Sequence, residues 1–194
     1  MEVIFERTGN RRYAIRVLRP GLPPAIMDPA PGYDPFLPHD VMHMVVEAEL
    51  GLTRAVFGQL AAGGLAGTFR IQSDISVSKR EASRQKRRAK TRDESLHKEG
   101  LEDSAVSERA TFLCWYEWLM QSDDPARRNT AKAMAGNTTH VKKTAPRTEL
   151  GSLSAPVTDR ICRHLDRLSS NWSGLAVGAE MIVHWPDLVI TPTL

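Results

Sequence analysis

The sequence is poor in cysteine, and its two cysteines, Cys114 and Cys162, lie too far apart to form a C-x-x-C pair. The spacing typical of zinc ribbons and thioredoxin-like redox sites is therefore absent, and two reduced, buried thiols are expected. No apolar run is long enough to span a bilayer, and MEVIFERTGNRRY lacks the apolar core of a signal peptide. No G-x-G-x-x-G or Walker loop is present, so nucleotide-dependent chemistry has no support. We expect a soluble, cytoplasmic protein that does not contact membranes.

What the sequence does contain is the pattern of an α+β fold in a single domain that covers residues 1–194. The run VIFERTGNRRYAIRVLR predicts a β-hairpin, and GAEMIVHWPDLVI predicts a strand near the C-terminus. Between them, helical patterns cover about 38–50, 53–62, 104–121 and 155–172. We expect a small antiparallel sheet, made of the N-terminal hairpin and the C-terminal strand, packed with about four to five helices.

The segment 122–156 is polar and contains three prolines and two glycines. Because these residues interrupt regular structure, the composition predicts a long polar loop region. A short helix at about 126–135 is compatible with that interpretation.

Charge is concentrated in residues 78–103, which we expect to form either an exposed helix or a mobile excursion. Residues 79–92 contain eight Lys or Arg and one Glu, and five acidic residues follow by position 103. Candidate contacts to a polyanion are Lys79, Arg80, Arg84, Lys86, Arg87 and Arg88. No aromatic residue is interleaved with them, and the acidic run can neutralise the basic one, so a solvated helix face is favoured over a nucleic-acid site.

The stretch PHDVMHMVVEAELG carries the clearest chemical pattern. On a helix, His39 and His43 lie one turn apart on one face, which is the spacing of two zinc ligands. Asp40 stands where metallohydrolases of the H-E-x-x-H type have their general base, although its side chain is one methylene shorter. It is therefore a candidate catalytic residue beside the open coordination position, or a cap of the first helical turn. Glu47 is expected to accept a hydrogen bond from the free ring nitrogen of His43.

A third metal ligand has to come from another part of the chain, because Glu47 lies two turns beyond His39. Glu117 is favoured, since it interrupts the apolar helix surface of FLCWYEWLM. The other candidates for this position are Glu108, His164, Asp166 and His184.

The H-D-x-x-H pattern of His39, Asp40 and His43 resembles the zinc motif of the ubiquinone-biosynthesis family that reads H-D-x-x-H-x11-E. The resemblance implies a bound Zn²⁺. The Glu of that family would fall at position 55, where this chain has Ala55. The stretch LPHDVMHMVVEAELGL is also similar to helices in small uncharacterised bacterial proteins, a resemblance that implies no function.

Two functions follow from these patterns. In the first, the chain binds a divalent metal ion, zinc first, and catalyses a hydrolase-like reaction on a small molecule. In the second, the His/Glu stripe is structural and the protein is a non-enzymatic interaction or regulatory protein whose basic segment 79–92 binds a partner. The substrate and the oligomeric state are not determined by the sequence.

Overall fold

The computed structural model describes residues 1–32, 34–72 and 78–191. The strands in these ranges are β1 (Glu2–Gly9), β2 (Arg12–Leu18), β3 (Ala25–Met27), β4 (Arg70–Ile71), β5 (Glu180–His184) and β6 (Val189–Thr191). The helices are α1 (His39–Leu50), α2 (Val56–Ala61), α3 (Lys79–Glu99), α4 (Leu101–Gln121), α5 (Pro125–Thr144), α6 (Arg147–Ser152) and α7 (Ala155–Ser173).

The strands form one antiparallel sheet in the order β4-β3-β2-β1-β5-β6. The predicted α+β fold is confirmed, as are the hairpin β1–β2 and its pairing with a C-terminal strand. Val3 opposes both Val17 and Val183, and all three side chains are fully buried. Alternate β-branched residues thus give the sheet one apolar face, against which the helices pack.

Helix α1 lies at the centre of the helical layer, where it packs against α4 and α7. Seven consecutive residues, 41–47, are buried, as expected for a helix that is apolar on nearly all sides. The helix ends at Gly51, whose φ of 65° places it in the left-handed region that favours glycine. The sequence prediction for this helix is therefore confirmed at both ends.

The prediction of a long polar loop at 122–156 is wrong, because α5 covers twenty of these residues. Only Ala131, Met134 and Thr138 of α5 are buried. Their i, i+3, i+7 spacing forms one narrow contact face, which packs on α4. Gly136 faces open space. A helix with so few buried residues has the polar composition typical of loops. For this reason the composition of 122–156 predicted a loop.

Helix α3 settles the two alternatives left open for the charged segment in favour of a helix. None of its residues is fully buried. Its C-terminal half contacts the loop after α2, where Asp93 accepts a hydrogen bond of 2.6 Å from the backbone N–H of Leu65.

Two further expectations concern the thiols and membranes. Cys114 and Cys162 are both unpaired and buried, as predicted, and burial raises the pKa of each thiol to about 12. Both are therefore poor nucleophiles at neutral pH.

Among the described residues, no helix combines the length and the apolar character needed to cross a bilayer.

Candidate metal centre

Helix α1 brings His39 and His43 together as their spacing predicts. The two Nε2 atoms lie 3.1 Å apart, and the rings meet edge to face with centroids 4.7 Å apart. Two nitrogens bound to one tetrahedral zinc ion at 2.0–2.1 Å would be about 3.3 Å apart. The observed separation is therefore close to that of a shared metal ion.

The third member of the group is Glu108, which α4 contributes. His39, His43 and Glu108 each offer a ligand atom within 4.8 Å of the other two. The Oε2 atom of Glu108 lies 3.8 Å from Nε2 of His43, and 73% of the Glu108 side chain is exposed. Because that side chain is exposed, a change of its rotamer can bring the carboxylate closer to both imidazoles without movement of the backbone.

Glu117, the carboxylate favoured from the sequence, is not in this group. It follows Glu108 by nine residues on α4, which corresponds to about 13.5 Å along the helix axis. Its carboxylate instead forms an ion pair of 3.1 Å with Lys142, at the edge of a cavity of about 470 Å³ between α4, α5, α6 and α7. Neither His39 nor His43 lines this cavity.

The remaining third-ligand candidates have other partners. His164 lies 3.1 Å from Glu49, and His184 lies 2.8 Å from the hydroxyl of Thr191. Asp166 accepts a hydrogen bond of 2.7 Å from the indole of Trp118. The basic residues proposed as polyanion contacts all lie exposed on α3, outside the group.

Glu47 is linked to His43, but not by the direct hydrogen bond predicted from the sequence. Ser107 of α4 stands between them: its Oγ lies 3.0 Å from Nδ1 of His43 and 3.0 Å from Oε1 of Glu47. The other carboxyl oxygen of Glu47 accepts a hydrogen bond of 2.7 Å from the backbone N–H of Phe57. Glu47 turns toward these donors because α2 has no side-chain cap of its own.

Burial sets the protonation of both ends of this bridge. Glu47 is completely buried, and this raises its pKa to about 8 even though the N–H of Phe57 and the hydroxyl of Ser107 favour the charged form. Burial, assisted by the nearby His39, lowers the pKa of His43 to about 4. At pH 7 His43 is thus neutral, which is the form that binds metal, and Glu47 holds a proton when no cation is near.

The bridge can run in two directions. With Glu47 protonated, its O–H donates to Ser107, the hydroxyl of Ser107 donates to Nδ1 of His43, and the ring proton lies on Nε2. A cation on Nε2 requires the reverse: Nδ1–H donates to Ser107, which donates to the Glu47 carboxylate. Binding of a divalent ion would therefore release the Glu47 proton, and the carboxylates of Glu47 and Glu108 would together balance its two positive charges.

Asp40 is held by Tyr13 and is not one of the candidate ligands. Its Oδ2 lies 2.5 Å from the Tyr13 hydroxyl, which also lies 2.7 Å from the backbone oxygen of Pro31. The Tyr13 hydroxyl thus donates toward both the Asp40 carboxyl and the backbone oxygen of Pro31. Burial raises the pKa of Asp40, although the hydrogen bond from Tyr13 acts in the opposite direction. As the neighbour of His39, Asp40 points to a different side of the helix, and its engagement by Tyr13 argues against the expected role of free base.

Ser107 and Tyr13 are the participants that the sequence did not identify. Ser107 lies within the helix predicted over 104–121 and Tyr13 within the predicted hairpin, so neither carried a signal for a site. Trp115 also lies here: its ring centroid is 6.5 Å from that of His39. This indole provides a fluorescent reporter beside the candidate ligands.

Comparison with known proteins adds no assignment: no protein-family model, no curated protein and no solved structure matches this chain.

Proposed function

We propose that this protein binds a divalent metal ion through Nε2 of His39, Nε2 of His43 and the carboxylate of Glu108. Zinc is the first candidate for this ion. The observation that carries the proposal is the convergence of these three groups from two helices. Two histidines and one carboxylate form a ligand set that catalytic zinc sites use, and the same set serves non-haem Fe(II). The resemblance of His39, Asp40 and His43 to a known zinc motif agrees with the choice of zinc.

The bridge to Glu47 favours a metal site over a purely structural polar cluster. A structural hydrogen bond between the two imidazoles would need no third group, yet Glu108 lies beside them with most of its side chain exposed. Ligating histidines usually donate their second ring nitrogen to a fixed acceptor, and His43 has this partner in Ser107 and, through it, Glu47.

Metal-assisted hydrolysis of a small molecule is the reaction class we propose. Three protein ligands leave one coordination position of a tetrahedral ion for water. Because most of the Glu108 side chain is exposed, solvent can reach the three ligands from the side of Glu108. The ion would supply the acidity that activates such a water. His39, His43 and Glu108 would hold the ion, and Ser107 with Glu47 would fix the ring of His43. A cytoplasmic location is part of this proposal.

Elemental analysis of the purified, untagged protein tests the metal site. We expect close to one zinc per chain in the parent and its loss in His39→Ala, His43→Ala and Glu108→Gln. Glu117→Gln is the matched control, because it removes a carboxylate from the same helix outside the group and should keep the metal. Circular dichroism verifies that each variant is folded. A parent that contains no metal and shows no thermal shift with added zinc, manganese or iron(II) would refute the proposal.

A further inference from the structure

The outer face of α3 is a stripe of arginines with no role in the fold. Apart from Glu81, its half-buried residues face the body of the protein and follow helical spacing: Ala82, Gln85, Ala89, Asp93 and Leu96. Arg80, Arg84 and Arg87 are exposed and follow the i, i+4, i+7 spacing of a single face. At 3.6 residues per turn the two faces point in nearly opposite directions, so the arginines project directly away from the body.

The charges of this stripe are not neutralised within the described part of the chain. Of the eight basic residues in 79–92, only Lys90 lies within 4 Å of a described carboxylate, that of Glu94 at 3.9 Å. Three members of the acidic run that was expected to neutralise them have other partners. Asp93 binds the backbone N–H of Leu65, Glu99 accepts from Ser95, and Asp103 binds the backbone N–H of Arg54.

We propose that α3 binds duplex DNA, with Arg80, Arg84 and Arg87 on the phosphate backbone of one strand. The three arginines border an open groove of about 500 Å³ along the helix. Arg80 and Arg87 are separated by about 10.5 Å along the axis, which equals the rise of about three nucleotides in one strand of B-DNA. Three long guanidinium side chains spread over this length can each reach a phosphate of the same strand.

The shape and composition of α3 select duplex DNA among polyanions. The helix contains no aromatic residue on which the bases of a single strand could stack. Its outer face has no large apolar side chain to insert into a lipid surface. The major groove of B-DNA is about 12 Å wide, so a helix about 10–12 Å wide can lie along its mouth with the arginines on the bordering phosphates, whereas the major groove of A-form RNA is deep and narrow. The contacts are to phosphates, so binding is independent of base sequence.

Fluorescence anisotropy with a fluorescein-labelled 24-base-pair duplex tests this surface, using the full chain. Each phosphate contact contributes about 0.9 to the slope of log affinity against log salt. Three contacts therefore weaken binding about 20-fold between 50 and 150 mM NaCl. We expect this loss in the parent, and a slope reduced by about 2.7 in the triple variant Arg80→Gln, Arg84→Gln, Arg87→Gln.

The matched control is the triple variant Lys79→Gln, Lys86→Gln, Lys90→Gln. It removes the same charge from the same helix, but from a different face: Lys79 and Lys86, which the sequence analysis also named as candidate polyanion contacts, lie with Lys90 between the arginines and the body. We expect it to retain most of the salt slope. Equal losses in the two variants would show a general charge effect and overturn the proposal. So would no binding by the parent at 50 mM NaCl, or tighter binding to single-stranded DNA or duplex RNA of the same length. Thermal unfolding verifies that both variants remain folded.

Discussion

Replacing Glu47 by glutamine tests whether the buried bridge controls the metal site. The oxygen of the introduced amide would stay with the N–H of Phe57, so the amide NH₂ would face Ser107 and donate to it. With this arrangement Ser107 accepts from the amide and donates to Nδ1 of His43, which places the ring proton on Nε2. Nε2 faces His39, so metal binding would move that proton to Nδ1; both neighbours would then donate to Ser107, and its own buried hydroxyl proton would lose its acceptor.

The cost of that unpaired group sets the magnitude. Leaving one buried hydrogen-bonding group unsatisfied costs about 1–3 kcal/mol, which corresponds to about a 5- to 150-fold loss of metal affinity. The pH dependence changes as well. In the parent, the pKa of Glu47 near 8 means that metal binding below pH 8 releases a proton. Affinity should then rise up to about tenfold per pH unit from pH 6 to 8. The pKa of His43, about 4, lies below this window.

Calorimetric titration of the metal-free protein with zinc, in the presence of a competing chelator at pH 6, 7 and 8, measures both effects. We expect the Glu47→Gln variant to bind more weakly at pH 8 and to lose the slope. Glu49→Gln is the control, because Glu49 lies on the same helix but pairs with Arg160 and His164, outside the bridge. A Glu47→Gln variant with the affinity and slope of the parent would refute the assigned direction of the bridge.

Four further predictions concern stability. Gly58→Ala should destabilise the fold by about 2 kcal/mol or more in urea unfolding, since a Cβ would overlap the backbone of Thr53. Gly136→Ala on the open face of α5 should instead stabilise the fold by about 0.5–1 kcal/mol. If the Gly58→Ala variant were the more stable of the two, the close packing around α2 would be contradicted. Tyr13→Phe should cost about 1 kcal/mol, because it removes the hydrogen bond to the half-buried carboxyl of Asp40; an unchanged unfolding midpoint would argue against that pair. Zinc at 100 times its dissociation constant should stabilise the parent by about 2.7 kcal/mol, and a chelator should reverse this shift.

Local patterns predicted much of the fold. The alternation of the N-terminal hairpin, the apolar helix that begins near His39 and the glycine stop at Gly51 all depend on neighbouring residues. They therefore appear in the structure where the sequence placed them. The segment 122–156 did not, because a helix with three buried residues carries almost no apolar periodicity.

The sequence by itself determined that His39 and His43 share one face of a buried helix, because that depends only on a spacing of four residues. It did not determine which carboxylate meets them. Glu108 and Glu117 lie on the same helix, and the choice depends on where α4 crosses α1. That crossing also places Ser107 beside Glu47, 60 residues earlier in the chain. Helix crossings are set by the fit of many side chains over the whole interface, which no local pattern encodes. Only the tertiary structure therefore completed the candidate metal centre.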